Sequence, residues 1–355
     1  VEDYDAVFFA LSDFGQDETS GTIFVDPSTL NSNIYKYICD SFAPDSVVCG
    51  TSPVIMEKSI KSQSEIDNFR QAYIDDGVAM ECFLHWLESE VASGREVTEW
   101  EASERLTAFR PEIPGYRGNS FANISAYGPN AAHPHYSTPE YGSAVIRPQG
   151  LYLVDSGGQY LTGTTDMTRT VPMGDCTDLE KEDYTLVLKG MIDLSMAVFP
   201  EGTTGHQLDA LARMPLWKRQ RNIGHGTGHG VGHFLGCHEG PQNVRTDNNP
   251  TPLEVGHIIS DEPGIYRTGQ WGIRTENLIT VVPVERTEAA TTEDEWYGFE
   301  TLTLCFYDTS LIDMSLMTVA EVEWLNAYHA RVYAEVAPLL NAEEAAFLAR
   351  KCEGI

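Results

Sequence analysis

The sequence predicts an α+β protein in which a small α/β segment precedes one large domain. Three observations carry this. Long stretches with apolar residues every three or four positions alternate with short apolar runs of strand length, and this fills two comparable halves of the chain. A length of 355 residues is long for one domain and suits one large domain with a smaller part. Ser52-Pro53 and the polar run KSIKSQS (58–64) mark a boundary between residues 1–55 and 56–355.

In chain order, residues 1–55 read as short strands and turns: VFFAL (7–11), GTIFVDP (21–27) and SVVCG (46–50). Ser62-x-x-Glu65 is a capping box, which closes a helix's first turn reciprocally. Ile66, Phe69, Tyr73, Gly77, Met80, Leu84, Leu87 and Val91 then mark one face of a long helix. Thr98-x-x-Glu101 opens a second helix through Leu106 and Phe109. The run 119–136 reads as loop and strand. LYLVD (151–155) is a strand, followed by a Gly-Gly turn and a returning segment, TTDMTRTV, in which Asp166, Thr168 and Thr170 share one face. Helices follow over about 179–197 and from Thr204-x-x-Gln207. HIISDEPGIY (257–266) and RTENLITVV (274–282) read as paired strands, and LTLCF (302–306) as a further strand. Thr318-x-x-Glu321 caps a helix with Val322, Leu325, Tyr328 and Val332 on one face.

Charge and composition bound the function. Against 53 acidic residues stand 23 basic ones, a net charge of −30, which argues against a nucleic-acid partner because phosphate is repelled. No apolar run is long enough to span a membrane. The first residues, VEDYDAVFFA, lack the basic start of a signal peptide. The 7 cysteines are scattered with no CxxC pair, which favours free thiols in a reducing compartment. Both readings lead to an expected cytoplasmic location.

The chemistry concentrates in Gly224 to Pro241, GHGTGHGVGHFLGCHEGP, which holds four of the 10 histidines. Histidine is the commonest neutral metal ligand, and glycine lets backbone approach a ligand closely. Four carboxylates sit at strand ends: Asp155 and Asp166 in one hairpin-like pair, Glu262 and Glu276 in another. Unpaired charge beside apolar strands is expensive to bury, and a cation offsets it. With His229 they make five donors, mostly hard oxygen, suited to manganese or a similar divalent ion rather than thiol-rich structural zinc. Two ions roughly 3.5–4 Å apart can share such a set and activate a water between them.

Together DSGGQY with TTDMTRT, GTGHGVG, HEGP, DEPGIY and IRTEN resemble the metallopeptidases of the pita-bread fold, with the nearest likeness to Xaa-Pro aminopeptidases. HEGP and DEPG are the segments that favour these over prolidase and methionine aminopeptidase. The likeness runs from about residue 55 to 355. Residues 1–55 resemble the tail of a noncatalytic middle domain, and no counterpart of the family's first domain is recognised in the sequence as given.

The resemblance implies metal ligands Asp155, Asp166, His229, Glu262 and Glu276, with Asp166 and Glu276 shared between two ions, manganese first and zinc or cobalt as alternatives. It implies substrate-site histidines at His135, His225 and His238, with a weaker claim for His133, and His233 as either a site or a structural residue. Arg274 is expected to steady the ligands rather than react. Glu262 would carry a proton to the leaving proline nitrogen, His238 would donate to the developing oxyanion, and His225 with apolar neighbours would hold the proline ring. The implied substrates are peptides with N-terminal Xaa-Pro, and a homodimer is open. Prolidase action on dipeptides alone is the first alternative. A pita-bread module that binds without catalysis is the second, and metal-free creatinase-like hydrolysis the third; the full ligand set argues against both.

Overall fold

The structure, a computed structural model, describes residues 2–16 and 21–355. The chain divides into two compact units, Val1–Lys58 and Ser59–Ile355.

In the first unit the strand Ile23–Val25 pairs in parallel with Val47–Cys49. The helices are Ala6–Gln16, Ser32–Ser41 and Pro53–Ser59. Asn31 caps the second helix by accepting from the backbone N–H of Asn33 and Ile34. VFFAL, expected as a strand, lies within the first helix. Val7, Phe8 and Leu11 pack with Ile34 and Ile38, whereas Phe9 is 75% exposed. Positions i, i+1 and i+4 therefore share the buried face, a helical period rather than a period of two.

In the second unit the helix Gln63–Ala92 starts at the expected capping box: Ser62 Oγ accepts from Glu65 N and the Glu65 carboxylate accepts from Ser62 N. All eight apolar-face positions from Ile66 to Val91 are buried. Gly77 is required there, since a Cβ would lie 2.5 Å from the Leu304 carbonyl oxygen. The helix packs in the main core with Asp178–Ser195, Val319–Val336 and Ala342–Lys351.

Two antiparallel sheets carry the acidic residues. Leu151–Ser156 lies between Ile124–Tyr127 and Met167–Pro172, with Thr168 opposite Asp155. Asn277–Val284 lies between Ile258–Asp261 and Trp296–Thr301, with Asn277 opposite Asp261. In each sheet one acid sits at or just beyond a strand's end and another stands immediately before its partner strand.

LTLCF, expected as a strand, is buried but joins no ladder. Leu302 N donates to Leu278 O, and side chains take the end of the run: Cys305 N donates to Tyr328 OH and Phe306 N to Glu81 Oε1, with Tyr307 N just beyond it donating to His329 Nε2.

A buried ion pair fixes the turn between the first two acids. Arg110 Nε donates to Asp76 Oδ1 at 2.7 Å, and both side chains are fully buried. Tyr160 OH and Thr165 Oγ1 also donate to Asp76, and Arg110 Nη1 donates to Ser156 Oγ. Replacing Arg110 by Met would strand the Asp76 carboxylate, so Arg110→Met is expected to cost about 3–5 kcal/mol in urea unfolding. A loss under about 1 kcal/mol would mean that neutral hydroxyl donors suffice for Asp76.

Candidate metal centre

The strand Gly228–His229 brings the histidine to the acids. It lies against the strand Ile258–Asp261: His229 N donates to Ser260 Oγ at 2.9 Å and Glu262 N donates to Thr227 O at 2.8 Å. Only glycine fits at 228, because a Cβ would meet the Ser260 carbonyl oxygen at 1.8 Å. The His229 Nε2 stands 3.4 Å from Asp166 Oδ2 and 3.6 Å from Glu262 Oε1. One donor atom each from Asp166, His229 and Glu276 lies within 4.8 Å of the others. His229 Nδ1 faces the Gly230 carbonyl at 3.0 Å, so in the neutral ring Nδ1 carries the proton and the Nε2 lone pair is turned to the acids.

The electrostatics call for positive charge. Burial pushes the Asp155 carboxyl up to about 6, against the pull of Arg274. Burial pushes Glu262 up to about 7, and burial with the charges of Asp166, Glu262 and Asp155 drives Glu276 well above the usual range. Burial opposes charge on His229, but Asp166 and Glu262 outweigh it and hold the ring at about 9. Asp166 stays below its ordinary value, because hydrogen bonding and charge from His229 outweigh its burial. Asp155 Oδ1 is buried with no hydrogen-bond partner. Clustered acids, an orphaned carboxylate oxygen and an imidazole lone pair fit divalent cations with hard-oxygen preference.

Arg274 braces this set. Its Nη2 donates to Asp155 Oδ2 at 2.5 Å, its Nε donates to Thr168 Oγ1, and Thr168 Oγ1 donates to Glu276 Oε2 at 2.7 Å. It touches no other acid of the five-residue set directly. Its Nη1 donates to Tyr266 OH, which is 2.7 Å from His225 Nε2. Since Tyr266 OH accepts from arginine, it donates to His225, whose Nδ1 then donates to Gly226 O at 2.7 Å. Burial lowers His225 to about 4, so the ring is neutral with both nitrogens engaged. Its ring face is what remains for a ligand.

The five residues, with His135, His225 and His238, line one cavity of about 750 Å³. His238 is exposed at the rim, its ring 4.1 Å from that of His229 in an edge-on arrangement. Burial and the charge of His229 both lower its pKa. His135 is also exposed. Of the histidines singled out in the sequence, two lie outside the cavity wall: His133 is exposed, and His233 sets its ring edge-on to Phe69 with Nε2 buried and unpartnered.

Sequence reasoning did not assign site positions to Tyr266, Thr168, Cys237 or Arg169. Tyr266 and Thr168 stand inside the quoted DEPGIY and TTDMTRT segments, so position in a motif was the available signal. Cys237 donates to Asp166 Oδ2 at 3.2 Å. Arg169 is wholly buried and donates to the carbonyls of Thr168, Glu276, Cys305 and Phe306, tying the two acid-bearing sheets together.

Residues 67–283 match metallopeptidase family M24, and residues 295–355 match the C-terminal region of that peptidase. The chain is 40% identical over 357 residues to a probable Xaa-Pro aminopeptidase P of Laccaria bicolor, covering 98% of this chain and 54% of that protein. It is 45% identical over 292 residues to a probable Xaa-Pro aminopeptidase P of Tuber melanosporum, covering 81% and 47%. The chain thus spans about half the length of these curated relatives. An X-prolyl aminopeptidase from Caenorhabditis elegans, described as a cytosolic enzyme with a di-nuclear active site, superimposes with a TM-score of 0.92 at 35% identity, over 99% of this chain and 57% of that one. A Xaa-Pro dipeptidase from Bacillus anthracis superimposes with a TM-score of 0.67 at 28% identity, over 84% and 76%. The α+β architecture is the pita-bread fold, and the chain belongs to metallopeptidase family M24.

Proposed function

We propose that the chain is a metal-dependent exopeptidase that releases the N-terminal residue from peptides whose second residue is proline. The observation that carries this is the convergence of Asp166, His229 and Glu276 beside the unpartnered Asp155 oxygen. The aminopeptidase relatives supply the substrate class. In this reading Asp155, Asp166, His229, Glu262 and Glu276 would hold two divalent ions, manganese in the first instance. Residues 56–355 are the catalytic domain and residues 1–55 belong to a noncatalytic one. A cytoplasmic location and a homodimer complete it, the former supported by the relative described as cytosolic.

Bound there, two divalent ions supply a water acidic enough to ionise near neutral pH. The chain's own residues do the rest. Glu262 accepts a proton and delivers it to the departing proline nitrogen. His238 donates to the scissile carbonyl oxygen as charge builds on it. The locked ring of His225 packs on the pyrrolidine, and Arg274 keeps Asp155 aimed inward.

Mass spectrometry of products from matched Xaa-Pro, Xaa-Pro-Xaa and longer peptides tests the reading. Tripeptides are expected to be cut at least as well as dipeptides, and N-acetylation to block cleavage. Alanine for the second-position proline removes ring packing and is expected to lower kcat/KM about 10–200-fold. Cleavage of dipeptides alone would make the enzyme a prolidase. Cleavage of none, with metal bound, would make it a binding module.

A further inference from the structure

The five donors do not account for Cys237. Its Sγ lies 3.2 Å from Asp166 Oδ2, and donor atoms of Asp166, Cys237 and His238 all lie within 4.8 Å of one another. This second cluster shares Asp166 with the first but differs in kind, with one oxygen, one sulfur and one imidazole nitrogen. Donors about 2.0–2.3 Å from a tetrahedral ion lie within roughly 4 Å of each other, so a small closure of this set makes a tripod. Cys237 and His238 are neighbours in the glycine-flanked segment Gly236 to Gly240, which is held by Gly232 N donating to Gly236 O and Glu239 N donating to Gly230 O. The sulfur decides selectivity: thiolate prefers zinc or cadmium, whereas manganese prefers carboxylate and water.

We propose that Asp166, Cys237 and His238 form a second, overlapping site for one thiophilic divalent cation, of the zinc or cadmium class, at the mouth of the cavity. On binding, the S–H bond breaks, the proton leaves to solvent, and a sulfur–metal bond forms. The site claims Asp166 Oδ2 and the His238 ring, so its occupant competes with the hard-cation set and withdraws His238 from a substrate. It is a site of inhibition by soft metal ions. The proposal concerns metal binding and holds whether or not the chain cuts peptides.

The test has two arms. Protein freed of metal is titrated with cadmium, and sulfur-to-cadmium charge-transfer absorption is followed in the ultraviolet. The wild-type band is expected to contain one component that Cys237→Ser abolishes and that Cys39→Ser with Cys49→Ser leaves in place. His238→Ala should weaken this component by more than the roughly 10–100-fold attached to losing a ligand's outer hydrogen-bond partner. The other arm needs no variant: iodoacetamide labelling at Cys237, read by peptide mapping, is expected to slow at least about tenfold with zinc present and to be nearly unchanged by manganese. Equal protection by both ions would overturn the proposal, since the sulfur would then play no selective part. So would a cadmium spectrum unaltered in Cys237→Ser.

Discussion

Exhaustive chelation is expected to abolish peptide hydrolysis, and manganese add-back to restore it. The cause is electrostatic. Asp155, Asp166, Glu262 and Glu276 are crowded into one buried space, where Arg274 is bonded to Asp155 and His229 faces Asp166 and Glu262. Removing cations leaves these carboxyls to share protons, as the upward displacement of Asp155, Glu262 and Glu276 already indicates. Binding to the folded state alone also raises stability, by about 2.7 kcal/mol at a hundredfold excess over Kd. Manganese should therefore raise the unfolding temperature of the stripped protein along with its activity. Elemental analysis must accompany the assay. Full hydrolysis by protein shown to hold no metal would end the reading, and restored stability without restored hydrolysis would separate a structural ion from a catalytic one.

What the sequence revealed of the fold follows the range of the interactions. Capping boxes at Ser62 and Thr318 are local, and each marks its helix start correctly. Asp155, Glu262 and Glu276 were visible because mostly apolar runs, LYLV, II and LITVV, stand beside them on strands that pair antiparallel, whereas Asp166 was placed by the face it shares with Thr168 and Thr170. VFFAL was ambiguous because four of its five residues are bulky and apolar; only contact with Ile34 and Ile38 selects the helix. LTLCF failed for a related reason. Glu81 and Tyr328, the side-chain partners of Phe306 N and Cys305 N, lie on helices distant in sequence, and no local pattern announces them.

The site divides the same way. Asp155, Asp166, His229, Glu262 and Glu276 each sit in a recognisable segment, and the structure brings them to one cavity. The relay from Arg274 through Tyr266 to His225 was not legible, because a tyrosine at 266 looks like any strand residue until its hydroxyl is seen between the two. It also alters the reading of His225, which loses both ring nitrogens to protein partners and keeps its face for packing.

Glu262→Gln is expected to lower kcat by roughly 10²-fold or more with little change in KM, the loss typical of a removed acid–base group. The substitution keeps size and shape. Ser260 Oγ, 3.1 Å from Glu262 Oε1, can still donate to the amide oxygen, and Glu262 N keeps its bond to Thr227 O. What disappears is the capacity to hold and return a proton, together with one negative charge facing His229. Metal content separates these two losses. If the variant retains the metal stoichiometry of the wild type while kcat falls, Glu262 acts through its proton. If one ion is lost with the activity, its role as a ligand dominates, and excess manganese should recover part of the rate. His238→Ala provides the contrast, because it lies outside the five-donor set: kcat should fall with metal content unchanged. A Glu262→Gln enzyme within about twofold of the wild-type rate would remove this residue from the chemistry and leave the proton to another group in the cavity.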